Sequence, residues 1–330
     1  MPGRICIALA SLMICATISA QEPTCTVDLP VLVALPNASL VQKLDSYGFV
    51  ARGKQGSISI ESVETERGPR RILFVVEDGK HVPEAARKIE AAIITEILSK
   101  ADTEDAFGLL TTRGPRKEIR FNESREALQA TANEIAAGMK GKDQADGVLD
   151  SVFEGVDWFQ PRQTGDAIVL LTMGIESSHR VSYAKVWNRL AGGGIRLFGL
   201  QLGMLISGYY HTGIGMGPSG QMTITADVDP NRENLFALSR DTGGFAGIED
   251  VQGDPWKQYK LKEDRLRAVR YMAMQEYKAV VEYYRIRIQH PPKGALLDLA
   301  DPIRKQLPQA MVIYPRNALE CSPGPDLPKR

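Results

Sequence analysis

Short, nearly unbroken apolar runs alternate with stretches of helical periodicity, and that alternation restricts the fold more than any other feature. Ile72-Leu73-Phe74-Val75-Val76, Ala106 to Thr111, Ala167 to Thr172 and Ile195 to Leu202 read as strands covered on both faces. Between them, helices are predicted from Pro83 to Ala101, from Arg125 to about Met139 and from Asp146 to Phe159, and another over Val181 to Leu190. The first carries Ile89, Ile93, Ile94 and Ile97 on one face, and the third turns Val148, Leu149, Val152, Phe153 and Val156 inward. Ser124 or Asn122 caps the second, and Gly192-Gly193-Gly194 ends the fourth. A short strand at Glu118 to Phe121, a helix at Asn231 to Arg240 and a turn at Gly243-Gly244 complete the unit. A strand apolar on both sides needs helices above and below it. The expected fold is therefore α/β, a doubly wound, mostly parallel sheet with helices on both faces.

The flanks read differently. Arg4 followed by the apolar stretch Ile5 to Ile18 and the small pair Ser19-Ala20 has the form of a cleaved secretory signal, too short to span a bilayer, with cleavage near Ala20. No later run is long and apolar enough for a membrane span. Removal of that signal takes Cys6 and Cys15 and leaves Cys25 and Cys321, one near each end, expected to form a disulfide in an oxidising compartment. Thr26 to Leu35 and Ser57 to Val63 form a small β-rich leader. The tail holds a charged helix from Trp256 to Glu282, then the alternating run Tyr283 to Ile288 and the short run Ala310 to Tyr314. These two strands are expected to pair with each other or with the leader near Ile58 and Ile60, as a small β module from the N- and C-terminal segments. The expected divisions are 1–20, 21–70, 71–250 and 251–330.

Forty basic residues balance forty acidic ones, which argues against a nucleic-acid binder, and the arginines of the tail are interleaved with acids. His81, His179, His211 and His290 show no metal-ligand spacing, and no nucleophile elbow, zinc-protease motif or P-loop occurs. Within the glycine-rich stretch 203–230, Gly213 to Pro218 lacks the following helix and the Gly-Lys-Ser/Thr of a phosphate-cradling loop and reads as a mobile loop. Ligands of doubly wound sheets sit at strand carboxyl ends, which singles out the residues after Val76, after Thr111, before the third helix and after Thr172.

Phe74-Val75-Val76-Glu77-Asp78-Gly79-Lys80-His81, Asp146-Gly147-Val148-Leu149-Asp150, Ile168 to Gly174 and Asp241-Thr242-Gly243-Gly244 occur in an order that resembles a von Willebrand factor type A domain. The subgroup resembled is that of the secreted, type-A-related proteins of acidobacteria. The resemblance implies a metal-ion-dependent adhesion site in which an Asp-x-Ser-x-Ser loop, a Thr and a second Asp hold Mg²⁺. In this sequence Glu77 stands at the first Asp, Gly79 and His81 at the two Ser, Asp146 at the Thr and Met173 at the second Asp. Asp78 is a further donor if the loop shifts by one. Gly79 offers no side-chain oxygen and Met173 only a soft thioether, so a hard cation is poorly served. The site is expected to be degenerate, with no metal or other cofactor and no catalytic residue. The expected function is an exported, non-catalytic module for an unknown protein partner, without nucleic acid or an integral membrane segment. The alternative is an exported enzyme using Glu77, Asp78, Asp146 and His81 as acid–base groups.

Overall fold

A computed structural model describes residues 25–35, 39–54, 56–80, 82–112, 114–143, 147–173, 180–202, 214–216, 222–224, 235–248, 263–292 and 294–315. The leader forms β1 (Thr26–Ala34), β2 (Phe49–Gly53), β3 (Gly56–Ile58) and β4 (Ile60–Arg67). The α/β unit follows as β5 (Arg71–Glu77), α1 (Glu84–Lys100), β6 (Ala106–Thr112), β7 (Glu118–Ile119), α2 (Arg125–Ala137), α3 (Val148–Gly155) and β8 (Ala167–Thr172). It continues as α4 (Tyr183–Gly193), β9 (Arg196–Gln201), β10 (Ile214–Met216), β11 (Met222–Ile224), α5 (Leu235–Asp241) and β12 (Ala246–Ile248). The tail adds α6 (Glu263–Val281), β13 (Glu282–Gln289), β14 (Leu296–Leu299), α7 (Asp301–Gln306) and β15 (Met311–Ile313).

The main sheet runs β11-β10-β12-β9-β8-β5-β6-β7, with β7 and β11 antiparallel at its two edges and the rest parallel. From β7 to β12 this is the doubly wound order 3-2-1-4-5-6. Alternation along β5 explains the two helical layers. Ile72, Phe74 and Val76 join Ile89 and Ile93 of α1, Leu128 and Ile135 of α2 and Val269 and Met272 of α6 in one core. Leu73 and Val75 face the other way, onto Val148 and Val152 of α3, Val186 and Leu190 of α4 and Leu238 of α5.

The leader and tail build the expected β module. β1 lies between β15 and β13, and β13 also pairs with β4, all antiparallel; a second small sheet has the order β14-β2-β3. Leu29, Val31, Phe49, Tyr284, Ile286 and Leu297 fill the core between them. The two tail strands thus pair with the leader and not with each other. Ile58 and Ile60 belong to different sheets, because the chain passes from β3 to β4 at Ser59.

Several sequence boundaries shift. Gly192 and Gly193 lie inside α4, and Gly194 alone takes the left-handed conformation that ends it, at φ 64°. Ser124, not Asn122, caps α2 by accepting from the Ala127 N–H. The third helix is shorter than expected, giving way to a 3-10 turn at Val156–Trp158. α6 ends at Val281, so Glu282 already belongs to β13; residues 256–262 lie outside the described residues. Within the glycine-rich stretch 203–230, β10 and β11 form a strand pair on the edge of the main sheet, which corrects the expectation of a mobile loop there; its other residues lie outside the described ones. β14 and α7 had no sequence expectation.

Helix α6 and strand β13 are consecutive, so one segment joins the sheet to the module. Arg196, 1% exposed, donates from Nη1 to the Ala279 carbonyl at 3.0 Å and from Nη2 to the Val280 carbonyl at 2.6 Å. It thereby caps carbonyls that the helix end leaves without intrahelical partners. Its guanidinium also lies 4.2 Å from the Tyr283 ring centroid, with Arg70 over the same ring at 5.1 Å. Burial pulls the Arg196 pKa down to about 10, which leaves the group charged at neutral pH. Elsewhere on α6, the Tyr277 hydroxyl donates to Asp105 Oδ2 at 2.6 Å and accepts from the Asp102 N–H at 2.9 Å. Arg196→Ala should destabilise the protein by ~3 kcal/mol, through a cavity and two stranded carbonyls, read as a lower midpoint in urea unfolding.

Candidate functional site

The switch point of the sheet lies between β5 and β8, because the chain leaves β5 for β6 on one side and reaches β8 on the other. Glu77 is the last residue of β5 and Thr172 the last of β8. Only 2% of Glu77 is exposed. Its Oε2 accepts from the Thr172 hydroxyl at 2.5 Å and from the Met173 N–H at 2.8 Å. The carboxylate expected at the first ligand position is thus bonded across the crevice where a ligand would enter.

The neighbouring positions are also engaged. Asp78, equally buried, donates its N–H to the Thr112 carbonyl at 3.0 Å. Gly79 has φ 134°, in the left-handed region that disfavours a side chain, so a Ser there would be strained; its carbonyl accepts from the Val82 N–H at 3.1 Å and closes the turn. Met173 packs its side chain against the core that contains α1 and α6, and contributes only its backbone to the site. His81 and Asp146 lie outside the described residues. Thr112 Oγ1 donates to the Gly147 carbonyl at 3.1 Å, and Thr111 Oγ1 donates to the Pro115 carbonyl while accepting from the Lys117 N–H. These bonds gather the loops after β5, after β6 and before α3 into one face.

Two acids not singled out as site residues from the sequence lie by this face, and one of them, Asp150, organises it. Asp150 accepts from the Gly147 N–H at 3.0 Å, from the Val181 N–H at 2.8 Å and from the Arg180 N–H at 3.0 Å, and so ties the start of α3 to the approach to α4. Burial opposes its ionisation, but the N–H groups of Arg180, Gly147 and Val181 and the charge of Arg180 prevail and hold its pKa below the ordinary value. Glu90 of α1 is 0% exposed, and both its oxygens are without a hydrogen-bond partner. Burial, with Asp78 and Glu77 nearby, pushes its pKa well up despite Arg87. The sequence signal was available: Glu90 lies four residues after Ala86 and four before Ile94 on the buried face of α1. Asp150 was equally visible as an acid in the first turn of its helix.

A hard divalent ion requires several convergent oxygens. Among the described residues, Glu77 Oε2 already receives two hydrogen bonds, Gly79 supplies no side chain and Met173 packs against the core, so these three positions do not converge as hard oxygen donors. Among the described residues no group of three His, Cys, Asp or Glu side chains is arranged to hold a metal.

No protein-family model matches the chain, and no curated protein matches it. Among solved structures it is similar to the conserved hypothetical protein BatB from Bacteroides thetaiotaomicron, at 14% identity over 64% of this chain and 98% of that one, with a TM-score of 0.40. It is similar at 13% identity to a von Willebrand factor type A structure from Catenulispora acidiphila, over 79% of this chain and 51% of that one, with a TM-score of 0.39. The SpRpn10 VWA domain is 11% identical over 42% of this chain and 78% of its own, with a TM-score of 0.32. The fold is that of a doubly wound α/β sheet with helices on both faces. Its sheet order and two helical layers, not these partial overlaps, are the ground for that statement.

Asp150→Asn should lose the anchoring of residues 180 and 181 and lower stability by ~1–2 kcal/mol at neutral pH. Because the folded protein keeps this acid ionised below its ordinary 3.8, the wild-type contribution is present above about pH 4 and disappears as acid protonates it. The difference between wild type and variant in thermal unfolding should therefore shrink as pH falls below 4.

Proposed function

We propose that this chain is an exported, non-catalytic interaction module that recognises a protein partner through its strand-end loops without a divalent ion. The observation that carries this is the Glu77 bond to Thr172 and Met173 across the switch point. A carboxylate committed to two internal donors is a poor metal ligand and a poor general base, since either role requires breaking the bonds that hold β5 to β8. Loops held on a rigid α/β scaffold remain, and these are the usual place for recognition. Lys80, Lys140 and Lys142 are exposed on them. The outer face of the module, by contrast, is occupied by its own ion pairs, among them Arg287 with Asp28 and Arg285 with Glu66.

Export follows from the signal-like residues 1–20, which lie outside the described residues, and among the described residues no helix is long and apolar enough to cross a membrane. The Cys25–Cys321 disulfide belongs to the same proposal. β15 runs antiparallel to β1 with Ile313 opposite Leu32, so the chain leaving β15 is directed toward the Cys25 end of β1. Cys321 itself lies outside the described residues.

A photo-crosslinking residue in place of Lys142 should capture a discrete partner in the native envelope, whereas one in place of Arg287 should not; equal labelling at both, or none at Lys142, counts against recognition by the loops. Calorimetric titration with Mg²⁺, Ca²⁺ and Mn²⁺ should show no saturable binding. A site that Glu77→Ala abolishes would overturn the metal-independent mode.

A further inference from the structure

Glu276 lies on the face of α6 that carries Val269, Met272, Ala273 and Val280 into the core shared with Phe74, Phe198 and Phe245. It is 0% exposed, and neither carboxyl oxygen has a hydrogen-bond partner. Among the described residues no polar group compensates it, so an ionised carboxylate in that position carries an uncompensated desolvation cost. Docking of α6 therefore favours the neutral acid.

Of the ionisable groups on the elements around it, Glu90 of α1 is likewise buried without a hydrogen-bond partner, and the others are engaged elsewhere. On α1, Glu90 responds to Asp78, Glu77 and Arg87. On β9, Arg196 serves the carbonyls of Ala279 and Val280, and on α6 itself the Tyr277 hydroxyl is bonded to Asp105. At the start of β13, Tyr283 lies against Arg70 and Arg196. Burial alone acts on the ionisation of Glu276, raising its pKa from the ordinary 4.5 to about 8.

We propose that α6 is a base-releasable strap: loss of the Glu276 proton loosens this helix from the sheet, and with it the link to the β module, while the sheet stays folded. Docked α6 holds the proton and released α6 gives it up to water, so release is favoured as pH rises from about 4.5 to about 8 and levels off above that. The Arg196 cap and the Tyr277 bond set the baseline, since both are contacts that Glu276→Gln leaves in place.

Hydrogen exchange on the full secreted chain, corrected for the intrinsic rate, tests this. The opening constant of amides in residues 272–281 should rise about tenfold per pH unit across that window in the wild type, as one proton requires. It should stay flat in Glu276→Gln, and β8 amides should not follow. An equal slope in Glu276→Gln, or β8 opening in step with α6, overturns the proposal. If the variant does not fold, infrared spectroscopy of the wild type decides: a buried carboxylic-acid band that persists at pH 7 and vanishes by pH 9 supports it, and the lack of that band at pH 7 refutes it.

Discussion

Burial of β5 on both faces governs this molecule. With Ile72, Phe74 and Val76 directed to one side and Leu73 and Val75 to the other, the strand is stable only between two helical layers. That requirement places β6 and β8 on either side of β5 and puts the ends of β5 and β8 next to each other at the switch point. The contact between Glu77 and Thr172 is a consequence of that placement. The same position that offers a doubly wound sheet its natural crevice is here closed by a hydrogen-bonded carboxylate.

The β module depends on the α/β unit through α6. Because α6 and β13 are continuous, the tail cannot reach β1 and β4 unless the helix docks, and docking is secured by a buried guanidinium at one end and a tyrosine hydroxyl further along. Removing Arg196 from water is costly, and its two carbonyl bonds and two aromatic neighbours offset that cost in the packed state. A second buried charge-bearing group, Glu276, lacks any such compensation among the described residues, so the joint combines a guanidinium bonded through two of its nitrogens with a carboxyl bonded through neither oxygen.

Much of the fold was legible in local pattern. The strands near Ile72, Ala106, Ala167 and Ile195 and the helices between them follow from runs of apolar residues and from their spacing. The segments that misled lack such a signal. β10 and β11 are three residues each, held by edge pairing, and β14 follows a proline pair and is defined by its partner β2. At the site, Glu77, Asp78, Gly79 and Met173 were singled out by the ends of their strands together with the family resemblance, and the lack of a hard oxygen ligand at Gly79 and Met173 is a matter of residue identity. Asp150 was passed over because helix capping does not announce that one carboxylate will also hold a distant loop.

Residue order alone settled the type of layered sheet, since period and burial are local properties of strands and helices. It also settled that the expected cation loop lacked its hydroxyls, since those are matters of identity. Which carboxylates became latches, which stayed neutral in the core and which helix tied the two cores together were decided by contacts between residues many positions apart. Those energies depend on distance and on loss of water, quantities that exist only once the chain has closed around them.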